Sequence, residues 1–231
     1  MSRLQLFGEG IWLADGPATA VAGFRYPTRM AVVGLGDGGL FVWSPVALDD
    51  GLRAEVDALG EVRCLIAPNS LHHLFLGEWK HAYPSARLFA PPGLRARRRD
   101  LVFDGDIGDA PDRIWESDLD QVIVRGNLIT SEVVFFHRAS RTAIFTDLIQ
   151  HFERSSFSGW RAIVARLDLM TAPQAEVPRK FRVPFTDRQA ARKALRRILA
   201  WPVENVVMAH APPITGDGSA FLRRTFAWLL A

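Results

Sequence analysis

The chain has 231 residues, 48% of them apolar and 23% charged, with a net charge of +3. That balance supports a substantial core and excludes intrinsic disorder, while 18 Gly and 14 Pro without any period exclude a collagen-like or low-complexity protein. No stretch reaches the roughly 20 uninterrupted apolar residues of a membrane span. Glu9 and Asp15 interrupt any signal-peptide core, and the single cysteine, Cys64, rules out an internal disulfide. A cytoplasmic protein without a membrane partner is expected.

The first third is β-rich. Ile11–Ala14, Ala18–Gly23, Met30–Leu35 and Leu40–Trp43 are short apolar runs, with Asp37-Gly38-Gly39 as a tight turn between the last two. Leu52, Val56 and Leu59 follow at helical spacing, and Gly60 stops that helix. Val62–Ala67 is an apolar strand that runs into Pro68-Asn69-Ser70-Leu71-His72-His73. Leu74–Trp79 reads as helical, and Arg87–Ala90 as a strand halted by Pro91-Pro92-Gly93.

Gln121–Val124, Glu132–His137 and Thr142–Thr146 are further strands, the last two joined by the polar turn Arg138–Arg141. Trp160, Ile163, Val164 and Leu167 recur at helical spacing and predict a core-facing stripe. Thr171–Pro184, rich in proline, reads as an ordered surface insertion. Asp187–Ala200 is a basic helix, with Arg188, Arg192, Lys193, Arg196 and Arg197 opposite Ala191, Leu195, Ile198 and Leu199. Val206–Met208 is a short strand leading to His210. A last amphipathic helix carries Phe221, Leu222, Thr225, Phe226 and Leu229, capped by Asp217 or Ser219. The basic helix face and the cluster Arg95, Arg97, Arg98, Arg99 are explained by solvation, so nucleic acid is not expected as a partner.

Three strand ends terminate in possible metal ligands: the His72-His73 pair, Asp147 after Thr142–Thr146, and His210. Imidazole and carboxylate at neighbouring strand ends suit zinc or iron. Each also has a plain structural reading: a helix cap for His72 and His73, an N-cap for Asp147, a hydrogen-bonded core histidine for His210. His81, His137 and His151 have no motif behind them. Cys64, Trp43, Trp79, Trp160 and Phe157 read as core.

This order of elements resembles the metallo-β-lactamase superfamily, from about Ile11 to the end of the chain. The family's first metal motif, H-x-H-x-D-H after a strand, falls on Pro68–His73. Pro68 and Ser70 then stand at the first two His positions, His72 at the Asp and His73 at the final His. Asn127, after Gly126, replaces the next family His; Asp147 matches the bridging Asp and His210 the terminal His.

The resemblance implies a single four-layer αβ/βα sandwich over residues 1–231. The first metal position is lost, and His72, His73, Asp147 and His210 remain for one divalent ion, zinc or iron. Four protein ligands would close a tetrahedron, the pattern of structural sites, so catalysis would need one of them, His72 most readily, to swing away. The implied function is metal-dependent hydrolysis of a small ester, thioester, lactone or phosphoester. Asp147 would serve as the catalytic ligand, and Asn69, Ser70 and Asn127 would line the substrate pocket. The alternative is a non-catalytic member that binds a small ligand or a partner. The oligomeric state stays open.

Overall fold

The computed structural model describes residues 2–230. Its first sheet has seven strands in chain order: β1 (Gln5–Gly8), β2 (Ile11–Val21), β3 (Phe24–Gly34), β4 (Gly39–Trp43), β5 (Glu61–Ile66), β6 (Arg87–Ala90) and β7 (Gly105–Asp106). The strands β1 to β4 pair antiparallel, and β4 to β7 pair parallel. Parallel neighbours need crossovers. Those crossovers include α1 (Asp50–Asp57), α2 (Leu76–Ala82) and α3 (Leu94–Arg97). Asp49 caps α1 by accepting the Leu52 amide.

The second sheet orders its four strands β11-β10-β9-β8, with β8 (Leu119–Val124), β9 (Glu132–His137), β10 (Thr142–Gln150) and β11 (Asn205–His210). Between β10 and β11 lie α4 (Gly159–Leu167), α5 (Arg179–Arg182) and α6 (Arg188–Ile198), and the chain continues into α7 (Gly218–Thr225) and α8 (Ala227–Leu230).

Alternation along the strands sends side chains to both faces of each sheet, so three cores form. Ile11, Val33, Phe41, Ile66, Phe135, Ile144 and Val207 fill the seam between the sheets. Leu52 and Val56 of α1 and Trp79 of α2 cover the outer face of the first sheet. Ala191, Leu195 and Ile198 of α6, with Phe221 and Leu222 of α7, cover the outer face of the second. Helix, sheet, sheet, helix is the expected four-layer arrangement.

Several elements differ from the sequence reading. Ile11–Ala14 and Ala18–Gly23 are one eleven-residue strand whose register shifts between Gly16 and Thr19, where the polar interruption lies. A Cβ on Gly16 would sit 2.6 Å from the Val46 Cβ, so only glycine allows that close approach. The Thr171–Pro184 insertion sends Ala175, Val177 and Phe181 into the second-sheet core instead of lying on the surface. Asp217 stands at the start of α7 but makes no side-chain capping bond. The clearest correction is α4. It buries Ala165 and packs Ala162 against Phe152, Phe157 and Met170, leaving Trp160, Ile163, Val164 and Leu167 outside. Among the described residues no helix is long and apolar enough to cross a membrane.

Candidate metal centre

β5, β10 and β11 bring their ends together at one edge of the sandwich. Between Phe145 and Gln150 the register of β10 against β11 shifts: Phe145 pairs with Met208 and Gln150 with His210, so five residues of β10 span two of β11. An irregularity of this kind re-aims side chains and removes backbone amides from the ladder. The freed amides of Thr146, Asp147 and Leu148 donate instead to the buried Glu132 carboxylate, at 2.7, 2.8 and 3.0 Å. Asp147 is thereby held with its carboxylate turned toward the loop after β5.

That loop supplies His72. Asn69 shapes it, its Oδ1 accepting the amides of Leu71 (2.8 Å) and His72 (3.0 Å). The Asn69 Nδ2 donates to Asp147 Oδ2 at 2.7 Å and to the Thr146 hydroxyl at 3.0 Å. One amide side chain thus ties the loop to the bulge.

The result is a triangle of donor atoms. His72 Nε2 lies 3.2 Å from His210 Nε2 and 3.3 Å from Asp147 Oδ2, and His210 Nε2 lies 3.4 Å from Asp147 Oδ1. All three side chains are nearly buried. Burial works against the ionisation of Asp147, yet the adjacent His72 and His210 hold its carboxyl well below the usual range.

The far nitrogens of both rings are engaged. His210 Nδ1 meets the Pro27 carbonyl at 2.7 Å; a carbonyl only accepts, so Nδ1 carries a proton and Nε2 is the nitrogen turned to the triangle. His72 Nδ1 meets the Ser44 hydroxyl at 2.9 Å. Outer partners of this kind orient metal-binding imidazoles. A tetrahedral ion with bonds of about 2.0–2.1 Å keeps its ligands roughly 3.3–3.4 Å apart. The three edges of the triangle match that spacing, and two imidazoles with one carboxylate are a donor set for zinc or iron. The residues fit a divalent ion.

Of the four ligands expected from the sequence, then, three converge. His73 points elsewhere: its Nδ1 is 3.2 Å from the Arg98 guanidinium, which also donates to the His73 carbonyl at 2.7 Å. Burial, then Arg98 and Arg97, hold the His73 imidazole below its ordinary pKa. The expected substrate-pocket set is likewise redistributed. Asn69 is spent on the contacts above. The Ser70 hydroxyl pairs with Thr130 at 3.1 Å, and Asn127 joins the Phe181 carbonyl (2.7 Å) to the Ile129 amide (2.9 Å). None of the three lines the cavity beside the triangle.

That cavity has a volume of about 480 Å³. His72, Asp147 and His210 form part of its wall, with Leu71, Phe75 and Phe181 as apolar lining and Tyr26, Gln150 and Lys180 as polar lining. The Lys180 ammonium donates to the Tyr26 hydroxyl and to Gln150 Oε1, both at 3.0 Å. Sequence reading missed Glu132, Ser44 and Lys180. Glu132 left a signal, as the one acidic residue opening an otherwise apolar run; Ser44 and Lys180 left none. His137 pairs with Ser140 at 2.7 Å, and His81 is exposed. The His151 amide donates to the His210 carbonyl at 2.9 Å.

A search of curated proteins finds no match. Among solved structures, a metallo-β-lactamase from Pontibacter korlensis is 12% identical, with a TM-score of 0.64 and coverage of 98% of this chain and 97% of that one. A metallo-β-lactamase from Hirschia baltica is 15% identical, with a TM-score of 0.61 over 98% and 96% of the two chains. The FIM-1 metallo-β-lactamase from Pseudomonas aeruginosa in its mono-zinc form is 12% identical, with a TM-score of 0.63 over 98% and 92%. The chain has the metallo-β-lactamase fold. Residues 9–158 match the family model described as a domain of unknown function, DUF4336, which is well over half of the chain. The chain therefore belongs to the DUF4336 family.

Proposed function

We propose that the protein is a metal-dependent hydrolase holding one divalent ion, zinc or iron, on His72, Asp147 and His210. The observation that carries this reading is the triangle of donors with edges of 3.2 to 3.4 Å opening on a cavity of about 480 Å³. Three protein ligands leave a coordination position for water or substrate, as catalytic sites require, whereas a set that also included His73 would close the tetrahedron.

A bound ion would supply Lewis-acid chemistry, polarising a carbonyl or phosphoryl oxygen and acidifying water. The rest falls to the chain's own side chains. Ser44 and the Pro27 carbonyl fix the two rings. Asn69 and, at 3.4 Å, Gln150 hold the two oxygens of Asp147. Tyr26 accepts from Lys180, so its own proton is free to be donated into the cavity. Leu71, Phe75 and Phe181 offer apolar surface to the body of a small ester, thioester, lactone or phosphoester.

Elemental analysis of the purified protein tests the first half of the reading. About one equivalent of zinc or iron is expected, and none in His210→Ala. Turnover of one of those four substrate classes by the metallated protein, absent from His210→Ala, supports hydrolysis. Metal binding without turnover on any class favours a non-catalytic binder, the reading to which Pro68, Ser70 and Asn127 in place of further ligands already lean.

A further inference from the structure

We propose that the outward face of α4 docks the protein on an anionic lipid bilayer. The helix is turned the opposite way from what its sequence predicts. Successive residues are about 100° apart around a helix. Trp160, Ile163, Val164 and Leu167 therefore form one stripe, Ala162 and Ala165 the opposite one, and Arg161 and Arg166 flank the stripe on its two sides. The alanines face the protein. The large side chains face out, with Trp160 at 57%, Ile163 at 63% and Leu167 at 61% of full exposure. A compact apolar stripe with Trp at one end and arginines along its edges is the pattern of a helix lying in a membrane interface.

Neighbouring elements extend the patch. The Trp160 ring packs edge-on against Phe24 at 5.8 Å, and Phe24 is the cross-strand partner of Val21, itself 60% exposed at the tip of the β2–β3 hairpin. The surroundings are cationic. Residues 153–182 carry six Lys and Arg against three acids. Two of those acids are engaged, Asp168 with Lys180 at 3.5 Å and Glu176 with Arg182 at 2.6 Å. Arg161 stacks over the Trp160 ring at 4.7 Å, and Arg179 donates to the Leu167 carbonyl at 2.9 Å, beside the end of the stripe.

This charge pattern selects the occupant. A two-fold contact between copies would set Arg161 and Arg166 against their own kind. A nine-residue helix about 14 Å long also offers far less than the roughly 800 Å² per partner that a stable dimer buries. An anionic bilayer needs no matching patch and is complementary to the arginines. Interfacial docking needs no spanning segment, and none is present among the described helices.

Co-sedimentation of the whole chain with vesicles tests this. Vesicles of phosphatidylcholine alone are compared with vesicles containing about one third phosphatidylserine, at about 0.1 M salt. The protein is expected to bind the anionic vesicles and to leave them in high salt. The double variant Trp160→Ser/Leu167→Ser should lower the partition coefficient at least about tenfold, since each substitution removes an apolar side chain from the interface. Arg161→Glu/Arg166→Glu should lower it similarly. Val102→Ser, at a residue 82% exposed on the loop after α3, should change nothing. Trp160, Leu167, Arg166 and Val102 are exposed, so variants at those positions should melt like the parent, and Arg166→Glu alone keeps the charge test open if the half-buried Arg161 does not tolerate reversal. Equal binding to neutral and anionic vesicles would overturn the proposal, as would retention of binding by the double variants. Self-association abolished by Leu167→Ser, without vesicle binding, would assign the face to a second copy and overturn it as well.

Discussion

Replacing Glu132 with Ala removes the acceptor for three buried backbone amides, those of Thr146, Asp147 and Leu148. A buried donor left unpaired costs about 1–3 kcal/mol. Water entering the space recovers part of that, and relief of repulsion with Asp147 recovers more, so the net loss should be on the order of 3–5 kcal/mol. That is a large share of the roughly 5–15 kcal/mol by which domains are stable. Glu132→Gln keeps one oxygen and can still accept two amides, so it should cost about 1–2 kcal/mol. Urea unfolding of metal-free protein at about pH 8, where the carboxylate is ionised, measures both values. Metal affinity offers a second readout: the bulge aims Asp147, and loss of an outer partner typically weakens a site 10–100-fold. The reasoning fails if Glu132→Ala unfolds within about 1 kcal/mol of the parent, or if Gln proves as damaging as Ala.

Metal content separates the histidines: His72→Ala and His210→Ala should lose the ion, whereas His73→Ala should keep about one equivalent, as read by elemental analysis. Stability should also depend on pH through Glu132, whose carboxyl is pushed up to about 7 by burial first and the Asp147 charge second. The folded chain then retains a proton that the unfolded chain releases above its ordinary value of 4.5, so the Glu132 contribution to stability is full below about pH 4.5 and declines toward pH 7. Urea midpoints across that window should show the decline, and Glu132→Gln should flatten it. Duplex DNA binding should be weak and fall steeply between low and physiological salt, because a net charge of +3 offers few phosphate contacts. Submicromolar affinity in physiological salt by fluorescence anisotropy would contradict this.

Strands were legible where alternation or apolar runs ended at turn residues. Glu132–His137 and Arg87–Ala90 match their strands end to end, and Asp37-Gly38-Gly39 is the turn between β3 and β4. The basic helix was legible because its apolar side repeats at helical spacing and is buried. Helix α4 was misread for the same reason: periodicity identifies a stripe but not the surface it meets. At the site, residue types at strand ends pointed to His72, His73, Asp147 and His210, and the ends of β5, β10 and β11 bring three of them together. His73 stays outside the triangle because its ring meets Arg98, a contact between distant residues that sequence does not announce. The roles of Glu132 and Ser44 depend on the bulge in β10 and on contacts across the fold, neither of which has a local signature.

The donor triangle straddles the seam between the two sheets. His72 follows β5 of the seven-stranded sheet, while Asp147 and His210 belong to the four-stranded one. Arg29 of β3 bridges the same seam, donating to the carbonyls of Met208 (2.9 Å) and Ala211 (2.6 Å) on either side of His210. Anything that engages all three donors therefore binds only the docked sheets. By mass action it opposes their separation, by about 2.7 kcal/mol at a hundredfold excess over its dissociation constant. The coupling runs both ways: loosening the apolar seam, for instance at Phe135 where its ring meets Phe41 at 5.2 Å, spreads the donors and weakens affinity without altering a single ligand. Occupancy of the site is thus a gauge of how firmly the two halves of the sandwich are joined.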